Sequence, residues 1–129
     1  MRNLMIYMLM FTTTAVFAQN KQTVNYETGE VKSIYEQNKE LVEVTHFYKD
    51  GTVKETGFFK DGVPEGQWIS YAPTGDKTAE LNYKDGKRHG EFRSWDLYAH
   101  TYVEMHYANG EAIQGDKWVK EEKFASINK

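Results

Sequence analysis

The chain has no cysteine, two prolines and no excess of basic residues. Without cysteine there are no disulfides, thiolate zinc sites or cysteine nucleophiles. Pro64 and Pro73 both fall in segments that read as connectors, so no strand-like run is broken by proline. Sixteen Lys and Arg stand against 19 Asp and Glu, a formal net charge of −3. Nucleic-acid binders carry a basic excess or stripe, and this balance disfavours that class. Long apolar runs are missing too, apart from one at the start. Met1, Arg2 and Asn3 form a short positive region, and Leu4 to Phe17 is uncharged and interrupted only by Thr12, Thr13 and Thr14. Val16 and Ala18 then occupy the −3 and −1 positions of a small-residue cleavage site. Residues 1–18 read as a signal peptide, with Gln19 as the mature start and export to the periplasm or the extracellular space of a bacterium as the consequence. The run is shorter than the ~20 strongly apolar residues of a spanning helix, so no transmembrane anchor is expected after cleavage. No cysteine follows it to carry a lipid.

The remaining 111 residues suffice for one small domain, which must draw much of its burial from its 16 aromatic side chains. Those aromatics recur at a fixed interval. Gly51 and Gly75 are 24 residues apart, as are Gly62, Gly86 and Gly110, and as are Gly66 and Gly90. "FKDGVPEGQWISY" from Phe59 superposes on "YKDGKRHGEFRSW" from Tyr83. The ends are less regular: Tyr35 and Asn38 fall in the phase of Phe59 and Gly62, but Gly29 is two residues closer than the period requires. Ala99 replaces an expected glycine, and Gly115 and Trp118 match Gly90 and Phe92 only with a one-residue insertion. Terminal units of repeat arrays are commonly atypical because they cap the stack.

Each unit holds two short strand-like runs. Ala79, Leu81 and Tyr83 alternate with Thr78, Glu80, Asn82 and Lys84, and Val103, Met105 and Tyr107 alternate with Glu104 and His106. Asp-Gly and Asn-Gly connectors are strong hairpin signals, because glycine accepts positive φ without a Cβ penalty. Gly51, Gly62, Gly66, Gly75, Gly86, Gly90 and Gly110 are therefore assigned to structural turns. Nothing between residues 40 and 115 has helical periodicity; Lys117 to Phe124 suits a last strand or a short helix. The fold expected is all-β: an elongated antiparallel meander of about four hairpins spanning residues 19–129, apolar on one face. A single-layer sheet cannot cover that face unless it curls or meets a partner.

These residues resemble the variant MORN repeat of small bacterial proteins, best over residues 42–110. The motif of aromatic and glycine positions is carried by Phe59, Gly62, Gly66, Trp68, Tyr71, Gly75, Glu80 and Tyr83, and again by Tyr83, Gly86, Gly90, Phe92 and Trp95. The resemblance implies the repeat sheet. Through a YwqK-like antitoxin family grouped with such repeats, it also implies a role in neutralising a toxin, which sits poorly with export.

No catalytic frame emerges. In "DGKRHG" (Asp85 to Gly90) two glycines bracket Lys87, Arg88 and His89, but a phosphate loop feeds a helix N-terminus, and this run leads into the strand-like "EFRSW". The equivalent "DGVPEG" keeps the glycines without the charges, so the reading is a joint between hairpins. His46, His89, His100 and His106 lack metal-ligand spacing, and no cofactor motif is present. His46, in the phase of Ser70 and Ser94, and His106 read as polar-face residues. No serine lies in a Gly-x-Ser-x-Gly setting. Glu80 and Glu104 share a strand phase, which leaves a paired-carboxylate hydrolase as one alternative. The favoured reading is a non-catalytic module that binds a protein or envelope component through one sheet face. Trp68, Tyr71, Phe92, Trp95 and Tyr107 are the candidate contact residues, within a ladder that also includes Phe59, Tyr83 and Trp118.

Overall fold

The computed structural model describes residues 20–98 and 100–119; the expected leader, Gln19, Ala99 and the end of the tail lie outside them. The described residues form ten strands: β1 (Lys21–Asn25), β2 (Val31–Asn38), β3 (Leu41–Phe47), β4 (Val53–Lys60), β5 (Val63–Tyr71), β6 (Lys77–Lys84), the two-residue β7 (Lys87–Arg88), β8 (Gly90–Asp96), β9 (Thr101–Ala108) and β10 (Glu111–Val119). All belong to one open antiparallel sheet in the order β1-β2-β3-β4-β5-β6-β8-β9-β10, with β7 also paired to β6. Every strand pairs with its sequence neighbour, so the sheet is a meander of four hairpins and a closing strand. Among the described residues there is no helix, and hence none long and apolar enough to cross a membrane.

Two kinds of turn alternate along the sheet. At one edge Asp61-Gly62, Asp85-Gly86 and Asn109-Gly110 each have positive φ at both positions (50° and 78°, 51° and 79°, 51° and 89°), the requirement of a type I′ hairpin turn. At the other edge the Gly51 amide donates to the Tyr48 carbonyl (3.0 Å) and the Tyr48 amide to the Thr52 carbonyl (2.8 Å), with Gly51 at φ 88°. The same pattern joins Tyr26 to Gly29 and Glu30, and Ala72 to Gly75 and Asp76.

Gly66 and Gly90, expected in turns, lie within the sheet instead. Gly57 of β4 alone stands opposite Gly66, Gln67 and Trp68 of β5, because Thr56 pairs with Ile69 and Phe58 with Glu65. Likewise Tyr83 pairs with Arg88 but Glu80 with Arg93, so two residues of β6 face four of the following segment. Each shift inserts two residues, and Gly66 (φ 67°) and Gly90 (φ 86°) supply the left-handed backbone it needs. The β2–β3 ladder has no such shift, running unbroken from Ser33↔His46 to Asn38↔Leu41. This accounts for the irregular first unit: without the two-residue bulge its length is 22 rather than 24 residues, and its turn is Lys39-Glu40, not Asn38.

Registered partners share a face, which settles the layout. One face carries Tyr35, Val44 and Gly57 in one row, with Trp68, Leu81, Phe92 and Met105 continuing it. Val44 (0% exposed) and Trp68 (7%) are the buried hydrophobic side chains among the described residues. The Trp68 ring lies flat over Gly57, meets Phe59 and Tyr83 edge-on at 5.0 and 6.3 Å, and donates its indole N–H to the Phe58 carbonyl.

Candidate aromatic binding face

The five candidate contact residues do not form one surface. Successive strand residues point to opposite faces, so positions three apart cannot share one. Trp68, Phe92 and Tyr107 lie on the aromatic face; Tyr71 and Trp95 belong to the opposite alternation. Trp68 is core rather than surface. Phe92 and Tyr107 are half-buried and meet edge-on at 6.2 Å. Trp118 lies on β10 in register with Val103.

The segment that looked like a basic loop contributes to this face. Asp85-Gly86 makes the turn, Lys87-Arg88 resumes the ladder, and His89-Gly90 begins the bulge. The Arg88 guanidinium stands over the rings of Phe92 and Tyr107, 5.8 and 5.5 Å from their centroids. Tyr107 foremost, with help from Tyr83, raises the guanidinium pKa above its already high ordinary value. Tyr83, Arg88, Phe92, Met105 and Tyr107 thus form a cationic-aromatic patch. Arg88 was invisible as a member of it in sequence, because its partners arrive from neighbouring strands.

His89 has a structural task. The type I′ turn of one hairpin docks on the bulge of the preceding one: the Gly86 amide donates to the Pro64 carbonyl (3.1 Å) and the Gly110 amide to the Arg88 carbonyl (2.8 Å). The first turn amide is met by a bulge side chain, Glu65 for Asp85 (2.8 Å) and His89 Nδ1 for Asn109 (3.5 Å). His89 therefore takes the place of Glu65 as an acceptor.

His46 departs from expectation. It shares the face of Val44, because both sit at the same alternation of β3, and its Nδ1 lies 2.7 Å from the buried Ser33 hydroxyl. The strand alternation that placed His106 on the polar face holds, and there it stands beside Glu104. Glu80 and Glu104 do lie in one row, but Arg93 pairs with both in register and stands between them, with nitrogens 3.8 Å from Glu80 and 3.4 Å from Glu104. Both carboxylates are thus ion-paired to the same guanidinium rather than standing alone. Glu91, Glu104 and His106 bring one ligand atom each within 4.8 Å of one another, a grouping made by the β8–β9 register that sequence spacing hides. Arg93 already supplies the positive charge there, 2.7 Å from Glu91.

No family model matches the chain, and no curated protein or solved structure matches it either.

Proposed function

We propose that the chain is an exported, non-catalytic repeat module that binds a protein or an envelope component through the aromatic face of its sheet. One observation carries this reading. Among the described residues Val44 and Trp68 are the buried hydrophobics, while Tyr35, Phe59, Tyr83, Phe92, Met105 and Tyr107 on the same face stay half-buried beneath no second layer. Tyrosine, methionine and arginine are enriched at interfaces, and an aromatic patch with a guanidinium stacked on it is a typical anchor. Toxin neutralisation is the special case in which the bound component is a toxin, and a toxic reading frame encoded beside this one would mark it.

The test is retention of a specific component from envelope extract by the immobilised chain. Arg88→Ala and Tyr107→Ala, checked for fold by circular dichroism, are expected to lose it. If both variants hold every specific component as the parent does, the aromatic-face reading is wrong.

A further inference from the structure

The turns that carry Gly29, Gly51 and Gly75 are preceded by equivalent positions, Tyr26, Tyr48 and Ala72. The first two side chains bridge the seam to the next hairpin. The Tyr26 hydroxyl donates to the Phe47 carbonyl (2.7 Å) and the Tyr48 hydroxyl to the Tyr71 carbonyl (2.8 Å). Lys32 and Lys54, each the extra residue of a register shift, stand 5.7 Å over the Tyr26 and Tyr48 rings. The third seam breaks the pattern. Ala72 and Thr78 replace the tyrosine and the lysine, and Trp95 takes the place of Phe47 and Tyr71.

The change is visible as volume. The seam spanned by Tyr26 leaves a pocket of about 220 Å³, whereas the third seam opens a cleft of about 900 Å³, lined by Ala72, Pro73, Thr78, Ser94, Leu97 and Val103 among others. Tyr98 also lies on its wall, in the loop between β8 and β9, and is 98% exposed.

We propose that this cleft receives Tyr98 of a second copy of the chain, each copy donating its tyrosine to the other. The two filled seams define the occupant: a phenol ring whose hydroxyl reaches a backbone carbonyl. Among the described residues no Lys, Arg or His lines the third cleft, while Asp76 and Asp96 do, so it suits a neutral ring rather than an anion. Tyr98 of the same chain points into solvent rather than filling the space. A cleft and a protruding tyrosine side by side form a self-complementary patch, which is what a two-fold interface requires. Buried tyrosines in pockets are also strong interface anchors.

Sedimentation equilibrium of the purified chain from about 1 μM to 1 mM, the range of weak reversible association, tests this. The parent is expected to show a monomer–dimer equilibrium. Tyr98→Ala is expected to raise the dimer dissociation constant at least about tenfold, and Tyr98→Phe by less, because the ring remains. Ala72→Tyr is expected to fill the cleft from within, abolish the dimer and raise the melting temperature. A parent that stays monomeric throughout, as it would if Tyr98 closed over its own cleft, overturns the proposal. So does a dimer that survives Tyr98→Ala; that variant alters an exposed side chain and keeps the fold even if Ala72→Tyr does not.

Discussion

A methyl group on Gly57 would lie 2.1 Å from the Trp68 ring, far inside van der Waals contact. The neighbour is a rigid indole pinned by its N–H bond to Phe58 and by two edge-on rings, so it cannot yield as a flexible chain end would. Gly57 is thus needed for close approach, not for backbone conformation, unlike Gly66 at positive φ. Overpacking of this kind costs about 1–3 kcal/mol, and in so thin a core the upper end is expected. Urea denaturation of Gly57→Ala checks this, and an unchanged midpoint would contradict the packing described. Gly57 lies outside the 24-residue glycine series, and its signal in sequence was a lone glycine inside a strand-like run. The identity of its partner was hidden because Trp68 reaches it through a register shift.

The hairpins are closed at their loop ends by short polar side chains. Asp50 accepts from the Thr52 amide (2.9 Å) and hydroxyl (2.6 Å), and these bonds, the hydroxyl first, hold its carboxyl below its ordinary value of 3.8. A depressed carboxyl stabilises the folded state above its unfolded pKa and loses that contribution as pH falls through the folded value. Melting temperatures are therefore expected to drop below about pH 4 more steeply in the parent than in Asp50→Asn, where the titrating group is gone. Equal slopes would remove Asp50 from the acid response. At this scale much was legible from sequence. Asp-Gly and Asn-Gly marked the type I′ turns, and alternation placed Leu81, Tyr83, Met105 and Tyr107 on one face. The bulges were not legible, because glycine at positive φ serves a turn and a bulge alike. Trp68 and Tyr71, three apart on β5, were assigned to one face although alternation sends them to opposite ones, because the 24-residue phase was followed instead of the two-residue period. Likewise Arg93 between Glu80 and Glu104 appears only once three strands are in register.

For the whole molecule, repetition replaces a thick core. Each hairpin leans on the one before it, through Gly86 on Pro64 and Gly110 on Arg88 at one edge and through Tyr26 and Tyr48 at the other. Such contacts join neighbours without burying a shared interior, which is why stability in repeat arrays behaves as a sum of local interfaces. Among the described residues this one-layer sheet leaves its aromatic face open while shielding the Trp68 indole. Hydroxyl-radical footprinting of the free chain measures that directly, residue by residue. Tyr83, Phe92 and Tyr107 are expected to be oxidised readily and Trp68 to be protected. Protection of all four would mean that the face is already covered, and ready oxidation of Trp68 would mean that the core described here does not form.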